Sequence, residues 1–267
     1  MRQKSRIVDH LDDAPFLKVV DLSLRYNGLP ALEGVSFELQ AGEQVAVVGP
    51  NGAGKSTLFK VIAGVLEASS GEVHLSGHAP LGHICIAYLP QRSEVDWSFP
   101  VTVRDVVMMG RVRKLGLLRW PKAPDWTLVD ECLSLVGMTS LARRQIGELS
   151  GGQQQRMFIA QALAQEAELL LMDEPLGGLD APSQEEVFRI LDELRERVVT
   201  VMMATHDLGL AAGRFDRVML LNHHLMGFGK PDEVFTEERL RSAYGGHLQM
   251  VETEDGMMIF DDTCCDE

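Results

Sequence analysis

Gly49-Pro50-Asn51-Gly52-Ala53-Gly54-Lys55-Ser56-Thr57 decides the fold of this chain. The stretch has the form G-x-x-x-x-G-K-[ST], and both of its flanks suit that pattern. Gln44-Val45-Ala46-Val47-Val48 is an apolar run of strand length leading into the loop. Beyond it, Leu58, Val61, Ile62, Val65 and Leu66 recur at helical spacing. Strand, glycine-rich loop and helix in that order predict a phosphate cradle. Glycines let backbone N–H groups curl around phosphate oxygens, and the helix N-terminus adds partial positive charge. In such a cradle Lys55 reaches the β- and γ-phosphates, while the Ser56 hydroxyl ligates Mg2+. A nucleoside triphosphate is the expected ligand.

Two further stretches narrow the class. Leu169-Leu170-Leu171-Met172 runs straight into Asp173-Glu174-Pro175. Buried parallel strands read as continuous apolar runs, and open α/β sheets place ligands at their carboxyl ends. Asp173 suits an acid that holds Mg2+ through water, and Glu174 suits the base or orienter of an attacking water. The other stretch, Leu149-Ser150-Gly151-Gly152-Gln153-Gln154-Gln155-Arg156, opens a helical pattern with Met157, Ile159, Ala160, Leu163 and Ala164 on its apolar face. This is again a polar, glycine-opened helix start able to take an anion. Beside the phosphate loop, it resembles the signature sequence of the ATP-binding-cassette (ABC) family.

That resemblance implies ATP and Mg2+ as ligands, and an α/β fold. The expected architecture is a P-loop NTPase core of mainly parallel sheet flanked by helices, with a small antiparallel β subdomain and a helical insertion. The resemblance also carries roles to single residues. Gln91, after the strand-like run Ile84-Cys85-Ile86-Ala87-Tyr88-Leu89-Pro90, matches the glutamine that contacts Mg2+ and water. His206, after Val198 to Thr205, matches the switch histidine that contacts the γ-phosphate. Tyr26 corresponds to the aromatic that stacks on adenine. Leu176-Gly177-Gly178-Leu179-Asp180 matches the dimer-contact loop in part, and its Asp180 is the residue that couples two sites. Ser150, Gly151, Gly152 and Gln153 serve a γ-phosphate held by the opposite subunit, so two chains are expected to meet head-to-tail.

Composition trims other classes. A net charge of -14 argues against nucleic acid as a partner, because phosphate backbones demand clustered Lys and Arg. No apolar run approaches the ~20 residues that cross a bilayer, and no apolar stretch follows the basic start Met1 to Arg6 to make a signal peptide. Four scattered cysteines fit a reducing cytoplasm. One ATPase domain is expected over about 16–247, with a helical subdomain over about 92–155 and an acidic, solvated tail over 248–267. Within the insertion, Thr102 is placed to cap Val103 to Met109 and Asp125 to cap Thr127 to Val136, with Pro121 and Pro124 breaking the chain between them. Pro182 opens a helix through about Arg195.

The stretch Tyr88 to Arg111, with Val95-Asp96-Trp97-Ser98-Phe99-Pro100 at its centre, resembles ATPase subunits of bacterial manganese and zinc importers. It implies two integral membrane permease subunits, an external metal-binding protein, and a peripheral place on the cytoplasmic face of the membrane. Trp97 and Phe99, with Val106 and Met109 behind them, are expected to form an apolar pocket for a permease helix. Manganese, zinc or iron is the expected cargo, and the alternatives are an importer of metal chelates, or a soluble ABC ATPase that remodels a protein assembly. Cys264-Cys265 and His223-His224 point toward a direct metal role, but adjacent cysteines lack the C-x-x-C spacing of a metal site.

Overall fold

Side chains alternate along a strand, so an unbroken apolar run is satisfied only when both sheet faces are covered. The computed structural model describes residues 15–75, 86–116, 119–245, 248–253 and 256–261. Its strands are β1 (Leu17–Tyr26), β2 (Leu29–Leu39), β3 (Gln44–Val48), β4 (Ser70–Leu75), β5 (Ile86–Leu89) and β6 (Leu169–Asp173). They continue with β7 (Thr200–Thr205), β8 (Arg217–Asn222), β9 (His224–Gly229), β10 (Leu248–Thr253) and β11 (Gly256–Asp261). The helices are α1 (Lys55–Ile62), α2 (Val103–Met109), α3 (Val112–Leu115), α4 (Ala123–Leu135) and α5 (Gly151–Ala164). After them come α6 (Ala181–Glu196), α7 (Leu208–Arg214), α8 (Pro231–Val234) and α9 (Glu237–Tyr244).

The apolar runs assemble into a sheet of order β5–β6–β7–β3–β8–β9, parallel throughout except for the antiparallel edge strand β9. Its two faces feed two cores. Val45, Val47, Leu169, Leu171, Met202, Ala204, Met219 and Leu221 point to one side, where α1 supplies Leu58, Phe59 and Ile62. The antiparallel sheet β2–β1–β4 closes that layer with Leu22, Leu24, Val35 and Phe37. Ala46, Val48, Leu170, Met172, Val201, Met203, Val218 and Leu220 point to the other side, against α5, α6 and the helical insertion. The expected α/β core, antiparallel subdomain and insertion are all present.

Local chemistry sets the insertion's helix starts. Asp105 N–H donates to Thr102 Oγ1 at 3.3 Å and Thr102 N–H donates back to Asp105 Oδ2 at 3.1 Å, so α2 begins where expected. The next helix differs from expectation. It starts at Ala123 rather than Thr127, because Pro124 lies within its first turn and does not break it. Proline is tolerated there, where the missing N–H has no helical partner anyway. Asp125 is not the leading cap; its carboxylate reaches back to Lys122 N–H at 2.9 Å. Past residue 247, where a solvated acidic tail is expected, β10 and β11 pair as an antiparallel ribbon. Cys264 and Cys265 lie outside the described residues, as do Ile84 and Cys85.

Phe59 is fully buried between the parallel sheet and the antiparallel one. Phe59→Ala is expected to cost about 3–5 kcal/mol of stability. Urea unfolding measures it, and a loss below about 1 kcal/mol would show that α1 is not the packed spacer between the two sheets.

Candidate functional site

Strand register brings the expected site residues to one edge of the sheet. Val48 is level with Thr205, Asp173 with Ala204, and Leu89 with Met172. The carboxyl ends of β3, β7, β6 and β5 are therefore adjacent, and each leads directly into a candidate residue: the loop Gly49 to Thr57, His206, Glu174 and Gln91.

The loop owes its shape to glycine. Gly49, Gly52 and Gly54 all have positive φ, at 156°, 81° and 96°. Space matters as much as φ. A Cβ on Gly49 would lie 2.0 Å from the Leu221 carbonyl oxygen, and one on Gly54 would lie 2.4 Å from that of Ala31. The loop is thus pressed against β8 and β2 from behind. His223, at φ 58°, reinforces this contact: its N–H donates to Ala53 O at 2.9 Å and its own carbonyl accepts from Glu33 N–H at 2.8 Å. His223 is thereby a brace for the loop, while His224 begins β9. Among the described residues, no group of three His, Cys, Asp or Glu could hold a metal ion.

Lys55 is 6% exposed, and its Nζ donates to Gly49 O at 2.6 Å and Pro50 O at 3.0 Å. Burial lowers its pKa, and the nearby carboxylates of Glu174 and Asp173 oppose that shift. Asp173 is 1% exposed, and burial raises its pKa against hydrogen bonds from Ser56 and Tyr88. Tyr88 OH donates to Asp173 Oδ2 at 3.2 Å, while Oδ1 is buried with no hydrogen-bond partner. An orphaned, buried carboxylate oxygen beside the Ser56 hydroxyl and a cationic loop suits a hydrated divalent cation.

Glu174 sits just past β6 with a left-handed backbone, φ 48°, and its N–H bonds to Ala204 O at 3.2 Å. For a residue with a Cβ this conformation costs on the order of 1–3 kcal/mol. It turns the side chain off the strand line at the sheet edge. Glu174, Gly177, Gly178, Gln184, His206 and Asp207 line a cavity of about 180 Å3. His206 is exposed there, and Asp207 fixes the start of α7 by accepting from Leu210 N–H at 2.8 Å. Gln91 is half-buried at the end of β5. Glu94, three residues on, pairs with Lys60 of α1 at 2.9 Å, and that bond raises the Lys60 pKa.

The signature forms a second cradle. Ser150 caps α5 in a reciprocal box with Gln153: Ser150 N–H donates to Gln153 Oε1 at 3.0 Å, and Gln153 N–H to Ser150 Oγ at 3.4 Å. Gly151 and Gly152 carry the first N–H groups of the helix, which have no partner within it. A Cβ on Gly152 would lie 2.6 Å from Ser183 Oγ of α6. Ser183 N–H in turn donates to Asp180 Oδ1 at 3.2 Å, and the Ser183 hydroxyl, with that N–H, holds the Asp180 carboxyl below the usual range. Signature and Asp180 are therefore packed together within one chain.

One expected residue stands elsewhere. Trp97 is not a surface anchor beside Phe99. It turns inward and packs edge-on against Phe158 of α5, with ring centroids 5.6 Å apart. Val106 is buried as well, whereas Phe99 and Met109 are exposed together with Val112 and Trp120. Tyr26, at the end of β1, is 48% exposed with its ring available for stacking. Residues the sequence reading passed over are Tyr88, Lys60 with Glu94, and Ser183. Only Tyr88 carried a signal, as the polar-tipped member of an apolar strand.

A nucleotide-type loop, an acidic strand end and a signature helix on one parallel sheet define an ATP-binding cassette. The profile of the ABC transporter family matches residues 32–177, and the chain belongs to that family. It is an ATPase of the transport class. It is 44% identical to the manganese transport system ATP-binding protein MntB of Halalkalibacterium halodurans, over 92% of this chain and 98% of that protein. A putative metal-chelate type ABC transporter, solved in an inward-facing conformation, superposes with a TM-score of 0.78 at 29% identity, over 92% of this chain and 96% of the other. A dimeric cassette in a post-hydrolysis state bound to ADP and phosphate superposes with a TM-score of 0.70 at 25% identity, over 80% and 98%. No helix among the described residues is long and apolar enough to cross a membrane.

Gly49→Ala tests the packed loop. The added methyl meets a backbone carbonyl, which cannot swing aside, so the loop must shift. Titration with a fluorescent ATP analogue is expected to show at least about tenfold weaker binding. Unchanged affinity would mean that the loop is not seated on β8.

Proposed function

We propose that this chain is the ATP-hydrolysing subunit of an importer for a transition-metal ion, and that it works from the cytoplasmic face of the membrane. Lys55 and the N–H groups of Gly49 to Thr57 hold the β- and γ-phosphates, and Tyr26 stacks on adenine. Ser56, Gln91 and Asp173 would hold Mg2+, and Asp173 keeps one buried oxygen without a partner within the chain that suits this role. The cation, when bound, offsets the charge of the phosphates. Glu174 orients the attacking water and takes its proton, while His206 contacts the γ-phosphate from the neighbouring strand end. The observation that carries this reading is the register that sets β3, β7, β6 and β5 level, so that four separate loops share one edge.

Each chain has one phosphate loop and one signature. A head-to-tail homodimer sets the Ser150 to Gln153 cradle of one protomer over the loop of its partner, giving two equivalent sites. ATP closes this dimer and hydrolysis releases it, because only the closed state has contacts to the γ-phosphate from both sides. Two integral membrane permease subunits receive the motion through the insertion, where Phe99, Met109, Val112 and Trp120 are exposed. An external metal-binding protein delivers the cargo. Manganese is supported by the relative, zinc by the resemblance around Val95 to Pro100, and a chelate by the transporter of similar structure.

Glu174→Gln tests the hydrolytic roles. Turnover is expected to fall at least about a hundredfold while an ATP-dependent dimer persists in size-exclusion chromatography. Normal turnover would remove Glu174 as the base. For cargo, cells lacking this chain are expected to lose manganese, and element analysis reads the change directly. Unaltered metal content, with the protein isolated only beside soluble partners, would point instead to remodelling of a protein assembly.

A further inference from the structure

Tyr88 stands on β5 level with Leu171 of β6. Asp173 lies two residues further along β6, on the same face as Leu171 by strand alternation. The tyrosine's long side chain spans that offset, and its hydroxyl donates to Asp173 Oδ2 at 3.2 Å. The bond distinguishes the two oxygens of one carboxylate. Oδ2 is engaged, and Oδ1 remains buried without a partner. A buried carboxylate with no donor at either oxygen would be free to turn about its terminal torsion, which is broad and roughly two-fold. With Tyr88 on Oδ2 and the Ser56 hydroxyl also at the carboxylate, that freedom is lost.

We propose that Tyr88 is a positioning residue for the divalent cation of the ATP complex, presenting Asp173 Oδ1 to it in a fixed orientation. The inference rests on the reading of Asp173 as a holder of Mg2+. Partners of this kind, hydrogen-bonded to a ligating carboxylate, commonly set metal affinity by about tenfold or more. Position on the strand gives the bond a further consequence. Tyr88 lies three residues before Gln91, and the loop beyond Gln91 is tied to α1 by the Lys60–Glu94 pair at 2.9 Å. A displacement of the Gln91 loop during transport therefore reaches Asp173 through β5 and a single phenol.

Tyr88→Phe removes the hydroxyl and keeps the ring. In the full-length chain, binding of a fluorescent ATP analogue is measured against free Mg2+ and again in EDTA, with a thermal melt alongside. Half-maximal Mg2+ is expected to rise about tenfold, while affinity in EDTA and the melting temperature stay unchanged. An unaltered Mg2+ requirement overturns the inference, and so does a loss of affinity equal with and without Mg2+. Asp173→Asn separates the two layers of the argument. If it too leaves the Mg2+ requirement unaltered, the reading of Asp173 has failed; if it alone raises the requirement, only the role of Tyr88 has.

Discussion

Lys55 and Asp173 are both almost wholly removed from water at the same edge of the parallel sheet. Either charge alone in that position would carry a desolvation cost of several kcal/mol. Burial lowers the Lys55 pKa, and the Glu174 and Asp173 carboxylates oppose that shift without cancelling it. The sheet enforces this proximity. Residues at the carboxyl ends of β3 and β6 can meet only if β7, lying between them, keeps both strands in register, and a one-residue slip would send every side chain of a strand to the opposite core. The hydrophobic pattern of the strands thus sets the electrostatics of the site.

Glycine in both cradles answers to packing as well as to phosphate. Gly49 is excluded from bearing a side chain by β8, and Gly152 by Ser183 of α6. Each cradle is seated closely against a neighbouring element, β8 for the loop and α6 for the signature. Small residues there allow close backbone approach, and the same closeness transmits displacement. Asp180 belongs to this second contact, because it caps the helix that carries Ser183.

Much of the site was legible in the chain because its parts are local. Loop, acidic strand end and signature each combine a turn chemistry with an apolar pattern, so Gly49 to Thr57, Asp173, Glu174 and Ser150 could be placed before any coordinates. Helix starts were legible where the cap follows ordinary rules, as at Thr102. The start of α4 was missed because proline was read as a break when it sat in a first turn. Trp97 was misplaced for a different reason. Exposure of an aromatic depends on what lies across from it, and Phe158 is 61 residues away in sequence by position number. Tyr88 and Ser183 act through partners on other elements, which periodicity alone does not reveal.

The insertion itself is held as one piece by charge. Arg111, at the end of α2, donates to the Ala164 carbonyl at 3.1 Å and to Glu166 at 2.6 Å, just past the end of α5. Within α5, Arg156 reaches Glu186 of α6 at 2.9 Å and the Val136 carbonyl, past α4, at 3.4 Å. Both arginines are largely buried, where guanidinium pairs are costly to break singly. The exposed apolar side chains of Phe99, Met109 and Val112 therefore ride on a body anchored to the signature helix at its middle and just past its C-terminal end. A push on that surface would be carried to Ser150 and Gly152 through α5, because the contacts of Arg111 and Arg156 join the insertion to that helix.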